Sequence, residues 1–495
     1  MMYPPIEAAR ELAASGRYRS IPVSRELYAD STTPIQVLRR LKYVSDHCFL
    51  LESAESRDAR GRYTFLGYEP RMRLSCTDGK LTVSAGADVT VDVAHPGEAI
   101  RQVIADNASP RLEGMPPFSG GLVGYFSYEY LKYAEPGLVF TAEDTEGFCD
   151  VDLMLFDRVI VFDHHRHKIQ LIVNVPVDGL ESGYRRAERE LAGMRELVLE
   201  GREHPDGSGR LASPVRELFD EDAYCAMVRR VQEHILEGDI FQAVLSNRLD
   251  ADFEGSLLDT YRVLRCLNPS PYMFYFSGDL EIAGASPETL VRVQDSTLHT
   301  FPLAGTRPRG GTDEEDAALE QDLLADEKEL AEHNMLVDLG RNDLGKVSRF
   351  GSVQVERFHV IERFSHVMHI GSTVRGELRE GCDAVDAIDA VLPAGTLSGA
   401  PKIRACQIID ELEGDKRGIY GGAVGYLDFA GNMDVCIAIR LAYRKGNRVF
   451  VRSGAGIVAD SVPEREYREC IDKAGAVMQA LEMAQGGLDD DSSDR

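Results

Sequence analysis

Between Pro271 and Thr306 the segments PYMFYFSG, LEIAGASPE, TLVRVQ and TLHTFPLAGT read as one short strand after another, rich in β-branched and aromatic residues. A chain with so many consecutive strands must cover their apolar faces, and amphipathic helices are the usual cover. DAYCAMVRRVQEHILEGD places Tyr224, Met227, Val231 and Ile235 on one helical face and ends at Gly238. A long helix is predicted from a capping box at Thr312 and Glu315, carrying Leu319, Leu323 and Leu330; a last helix is predicted from a second box at Ser461 and Glu464. Upstream, DRVIVFDHH and KIQLIVNV read as a hairpin and GGLVGYFSYEY as a strand, while residues 420–458 read as three antiparallel strands. Strand runs alternating with amphipathic helices define an α+β layered sandwich. Residues 200–219, rich in Gly, Pro and Ser, are the candidate linker between a region 1–199 and a region 220–485, and the tail 486–495 is expected to be disordered.

The decapeptide PAGTLSGAPK, residues 393–402, precedes a predicted helix that Pro401 opens and Gly414 closes. Its glycines permit close backbone approach, and Thr396 and Ser398 add hydroxyls. A helix N-terminus presents unpaired N–H groups and suits a carboxylate or phosphate. The same string also reads as an ordinary helix-entry loop.

The net charge of −27 argues against nucleic acid, whose phosphates reward a basic face. For an anionic substrate it means that arginines, helix ends or a bound cation must supply local positive potential. Nine cysteines without a CxxC pair suit reduced cytosolic thiols. No apolar run reaches the length of a membrane span, and the first residues lack the apolar stretch of a signal peptide.

Two carboxylate pairs have helical spacing: Glu329 with Glu332, and Glu466 with Glu469. Two such faces opposite each other would suit magnesium, a hard cation held by a few carboxylates, waters and substrate oxygens. Taken alone, glutamates three apart on a helix are more often solvated surface. His366 and His369, three apart in a strand, point to opposite faces, which disfavours a shared zinc ion.

The segments DEKELAEHNMLVDLGRND and DSVPEREYRE, with GASPE, HVMHI, YGG, IAIR, SGAGIV and PAGTLSGAPK, resemble blocks of the chorismate-utilising enzymes, specifically anthranilate synthase component I. The resemblance implies two antiparallel sheets faced by helices, an α/β/β/α arrangement. It aligns Glu329, Glu332, Glu466 and Glu469 with the magnesium positions and Glu288 with the general acid that protonates the departing hydroxyl of chorismate. His369 aligns with the histidine associated with loss of the ring proton and pyruvate. Tyr420 and Arg440 match the residues that hold the pyruvyl side. Gly454 and Gly456 match those that present backbone N–H groups to the other carboxylate, and Thr306 and Thr396 complete the lining.

Within that family, Gln242 stands where water-using members carry a lysine, and an amide is no general base; ammonia is then the expected nucleophile. Ala304 stands where some aminodeoxychorismate synthases carry a nucleophilic lysine, and Thr396-Leu397-Ser398 differs from the helix-entry loop common in those enzymes. The implied reaction converts chorismate and ammonia to anthranilate and pyruvate; aminodeoxychorismate or aminodeoxyisochorismate synthase component I is the alternative. LLES (50–53) and NPSPYMFY (268–275) resemble tryptophan-binding pieces, implying an effector site with Leu51, Ser53, Pro271, Tyr272 and Met273. The absence of tryptophan from the chain suits an enzyme made when tryptophan is scarce. No glutaminase-like segment is present, so a separate glutamine amidotransferase subunit in a heterotetramer is the expected ammonia source.

Overall fold

The computed structural model describes residues 2–54, 59–363 and 367–488. His366 and the tail beyond residue 488 lie outside the described residues.

Two antiparallel sheets lie face to face. One, of 13 strands, starts at Ser20–Tyr28 and passes through Lys168–Pro176, Arg158–Asp163, Tyr63–Tyr68 and Cys48–Glu52. It continues with Tyr272–Ser277, Leu280–Ser286, Leu441–Lys445, Arg448–Ile457 and Gln242–Glu254. The other, of 12 strands, runs from Leu303–Pro308 through Val367–Glu377, Thr297–Thr300, Thr289–Gln294, Met433–Ile437 and Ala423–Asp428. It then takes in Gly121–Phe126, Val151–Phe156, Met72–Thr77, Lys80–Ser84 and Asp88–Asp92. The regions before and after residues 200–219 therefore contribute to both sheets. They join where Met273 pairs with Glu52 and where Gly425 pairs with Gly124.

The layers follow from which face each strand leaves apolar. Between the sheets sits an aromatic core that includes Phe49, Phe65, Phe118, Phe156, Phe274 and Tyr443. Phe49 and Phe156 meet edge-to-face at 4.7 Å, the arrangement their ring quadrupoles favour. Outside the first sheet, helices including Pro34–Val44, Leu180–Glu200, Leu258–Leu267 and Pro463–Met483 close an aliphatic core. Outside the second, Gly97–Asp106, Glu327–Gly345 and Ala384–Val391 do the same. The result is the expected α/β/β/α sandwich.

Three local expectations are corrected. The predicted long helix is two, Asp313–Ala325 and Glu327–Gly345, because the Asp326 side chain accepts the backbone N–H groups of Lys328 and Glu329 and so ends one helix while capping the next. The last helix begins at Pro463 after Val462, and the Ser461 hydroxyl accepts from the Val458 N–H, so no capping box forms there. Residues 420–458 hold four strands in two hairpins, one in each sheet. The crossing between those hairpins, Ala438–Arg440, is too short to read as a turn from composition, yet it places Arg440 at the gap between the sheets.

Candidate active site

A cavity of about 590 Å³ is lined by both sheets, by the helices Glu327–Gly345 and Pro463–Met483, and by the loop before Lys402–Glu413. It collects Gln242, Glu288, Thr306, Thr396, Tyr420 and Arg440, with Gly454 and Gly456 on one strand and Glu329, Glu332, Glu466 and Glu469 on the two helices. His369 is not on its wall.

Glu288 follows the strand Leu280–Ser286, and its carbonyl accepts from the Ile437 N–H at 3.0 Å, which ties it to the second sheet. Thr396 supplies its side-chain partner. With no cation beside it, desolvation pushes the Glu288 carboxyl up to about 8, so it is protonated at neutral pH. A half-buried, protonated carboxyl facing a cavity is equipped to give up a proton.

Gln242 begins the strand Gln242–Glu254, and its buried Oε1 has no hydrogen-bond partner among the described residues. An amide oxygen left this way is an acceptor awaiting an N–H or O–H donor. Arg440 sits at φ +54°, a strained conformation for a non-glycine residue, held where the chain crosses between sheets. Burial lowers its guanidinium pKa, and no ion-pair partner offsets that among the described residues. Tyr420 is buried beside it, with its phenol pushed up by burial. Gly454 and Gly456 pair with Ser246 and Val244. A Cβ on Gly454 would lie 2.6 Å from the Leu245 carbonyl and 2.9 Å from the Tyr420 hydroxyl, and one on Gly456 would lie 2.7 Å from Gln242 Nε2. Both positions must be bare for the cavity floor to exist.

The four helical glutamates act on one another. Burial raises Glu329, Glu332 and Glu466, and like charge adds to it: Glu469 on the last helix raises Glu329 and Glu332 across the cavity. Glu469 also pairs with Lys473 at 2.7 Å. Among the described residues, no three of these glutamates hold oxygens within 4.8 Å of one another; only His234, Glu237 and Asp239, elsewhere in the fold, do. Separated, crowded carboxylates fit a hard cation that takes one or two protein oxygens per side and completes its shell with water and substrate.

His369 stands behind the wall. Its Nδ1 lies 2.8 Å from the Gly305 carbonyl and 3.1 Å from Thr306 Oγ1, while Gly305 and Thr306 face the cavity. A carbonyl only accepts, so Nδ1 carries the proton and Nε2 is the basic nitrogen. Burial, then Arg440, holds His369 below the usual histidine range.

The helix Lys402–Glu413 departs from expectation. Its N-terminus is not on the cavity wall; Thr396 and Leu397 are. Lys402 instead binds Asp343 at 2.7 Å, and Ala405, Ile408 and Ile409 pack beneath the strand Gln242–Glu254. Arg452, Lys328 and Lys473 line the cavity but were not singled out from sequence. The four-residue step from Glu469 to Lys473 was a usable signal for the last of these.

A second cavity, of about 290 Å³, holds Leu51, Ser53, Pro271, Tyr272 and Met273 together. The sequence reading missed its charged groups Glu52, Arg62, Arg111, Arg292 and Asp434 and its aromatic walls Phe65 and Tyr426. Glu52 lies within LLES itself; the others come from separate strands and loops, which no local pattern connects.

The sandwich with one carboxylate-rich cavity defines a class, and comparison with known proteins gives it. The profile of the chorismate binding enzymes matches residues 46–479. Anthranilate synthase component 1 of Acetivibrio thermocellus is 44% identical, over 98% of this chain and 99% of that protein. The component 1 of Pseudomonas aeruginosa is 45% identical, over 97% and 98%. The crystal structure of anthranilate synthase component I from Streptococcus pneumoniae superposes with a TM-score of 0.73 at 37% identity, covering 92% of this chain and 99% of that one. The menaquinone-specific isochorismate synthase of Escherichia coli shares the fold, at 19% identity and a TM-score of 0.68. The chain belongs to the chorismate-binding enzymes and, within them, to the anthranilate synthase component 1 family.

Proposed function

We propose that the chain aminates chorismate with ammonia and eliminates pyruvate to give anthranilate, the entry step to tryptophan. The observation that carries this is Gln242. Gln242 lines the same cavity as the protonated Glu288, and its amide can hydrogen-bond ammonia but cannot deprotonate water.

Arg440 and Tyr420 take the carboxylate of the pyruvyl side, and backbone N–H groups at Gly454 and Gly456 take the ring carboxylate. Ammonia, oriented by Gln242, forms the bond to ring carbon 2 as the carbon–oxygen bond at position 4 breaks. Glu288 gives its proton to that oxygen, which leaves as water, and Thr396 steadies the carboxylate that remains. His369, with Thr306 between it and the cavity, serves the loss of the proton at carbon 2 that accompanies release of pyruvate. Glu329, Glu332, Glu466 and Glu469 would hold magnesium, which when bound supplies Lewis-acid polarisation of the substrate.

Every residue on this cavity wall falls between Gln242 and Lys473, which supports region 220–485 as the chemical part. The second cavity draws on both regions and suits feedback by tryptophan: aromatic walls for an indole, with Glu52, Arg292 and Asp434 for a zwitterion. Region 1–199 would then serve regulation and partner contact. The relatives' designation as component 1 supports a separate partner component; in this reading it is a glutamine amidotransferase that supplies ammonia, in a cytoplasmic heterotetramer. No helix among the described residues is long and apolar enough to cross a membrane.

The test is product analysis with chorismate, magnesium and ammonium. Anthranilate is expected. Isochorismate, aminodeoxychorismate or an amino intermediate retaining pyruvate would overturn the reading.

A further inference from the structure

The catalytic cavity opens onto a second depression of about 380 Å³, lined by Arg440, Arg465, Arg468, Glu469, Asp472 and Lys473. Three of these, Arg440, Glu469 and Lys473, also line the catalytic cavity, so the two spaces are continuous. Arg465 and Arg468 are exposed on the helix Pro463–Met483, beside Glu466 and Glu469. Neither has an ion-pair partner within 4 Å among the described residues.

The electrostatics of the approach make these two arginines useful. The chain carries −27, and the cavity itself holds four crowded glutamates. A substrate with two carboxylates must enter against this net negative charge. Two of the cations that line the cavity are already engaged, Arg452 by Asp415 at 3.2 Å and Lys473 by Glu469 at 2.7 Å, while Lys328 has no ion-pair partner within 4 Å among the described residues. Arg440 is unengaged within, and Arg465 and Arg468 are unengaged at the mouth. Clefts edged with one sign of charge raise the local concentration of an oppositely charged ligand, by about 10- to 1,000-fold in on-rate where steering is strong.

We propose that Arg465 and Arg468 form an anion-capture subsite at the mouth of the catalytic cavity, which holds the dicarboxylate substrate before it passes to Arg440. This rests on the reading of the cavity as a chorismate site. The subsite acts on entry and not on bond-making, so its contribution belongs to kcat/KM and is screened by salt.

The test compares the wild type with R465Q/R468Q in the ammonium-dependent reaction, with R185Q/R186Q on the distant helix Leu180–Glu200 as a control for net charge. At about 0.02 M ionic strength, kcat/KM for chorismate is expected to fall about 3- to 10-fold in R465Q/R468Q, and much less in the control. The two curves should converge near 0.5 M, where the Debye length shrinks to a few ångströms. An unchanged kcat/KM, a loss that persists at high salt, or an equal loss in the control would each overturn the subsite. A wild type that makes no anthranilate would overturn the chorismate reading instead, whatever the variants do.

Discussion

The Thr396 hydroxyl lies 3.4 Å from one carboxylate oxygen of Glu288 and 3.5 Å from the other. One residue belongs to a helix-entry loop and the other to a strand end more than a hundred positions earlier. Their contact is long and weak, so it opposes only slightly the desolvation that keeps Glu288 protonated.

Glu288→Gln should lower kcat by about 100- to 10,000-fold, the usual contribution of a general acid. In the wild type, kcat/KM should fall above pH 8 as the acid deprotonates, with a separate fall on the acid side of the usual histidine range as His369 takes up its proton. The stability consequence of the raised Glu288 carboxyl has the same sense. A carboxyl raised from 4.5 to about 8 binds its proton more tightly in the folded state, so stability falls as pH rises through that window. Glu288→Gln removes the effect, and at pH 9 its Tm should exceed that of the wild type. A lower Tm at pH 9 would contradict the burial argument.

Magnesium should reverse the sign of a single substitution. Without divalent cation, Glu332→Gln relieves repulsion from Glu329 and Glu469 and should raise Tm. With magnesium, the wild type should gain about 2.7 kcal/mol at a hundredfold excess over Kd, and the variant much less. Chelation should abolish activity reversibly. Calorimetric scans with and without the metal decide this, and equal magnesium responses in both proteins would exclude Glu332 from the site.

Tyr272 connects the two cavities. Its hydroxyl lies 2.7 Å from Asp434 and 2.9 Å from the hydroxyl of Thr289, the residue after Glu288. Tyr272→Phe should therefore weaken inhibition by tryptophan more than it weakens tryptophan binding, with coupling reduced within the usual range of about 5- to 150-fold. Titration calorimetry beside inhibition curves separates the two. Parallel loss of both would make Tyr272 a contact and not a link.

Arg417 is buried and binds Glu413 at 2.5 and 2.9 Å, while donating to the carbonyls of Leu397 and Val244, both at 2.6 Å. It thereby fixes the loop that carries Thr396 against the strand that begins at Gln242. Arg417→Met leaves the buried Glu413 with only the more distant Arg452, at 3.9 Å, as an ion-pair partner and should cost about 3 to 5 kcal/mol in denaturant unfolding. Adding Glu413→Leu should recover much of the stability but not the activity, because the two carbonyls remain unheld. Full recovery of activity would show that the clamp has no positioning role.

What the sequence determined by itself was local and chemical. The β-branched runs fixed most strands and the apolar spacing fixed the helices, because both depend on periods of two or 3.6 residues. The family blocks named the residues that the cavity wall then gathered, from Gln242 to Glu469. Tertiary structure decided what no period records. A single side chain, Asp326, divided a helix, because its capping hydrogen bonds to the N–H groups of Lys328 and Glu329 outweighed helix propensity. A three-residue crossing set Arg440 between sheets, and His369 fell behind Thr306 instead of beside the substrate space. The partnerless state of Gln242, the raised carboxyl of Glu288 and the free arginines at the mouth are properties of surroundings assembled from distant segments. Charge and desolvation act through space, so they become readable only when the chain is folded.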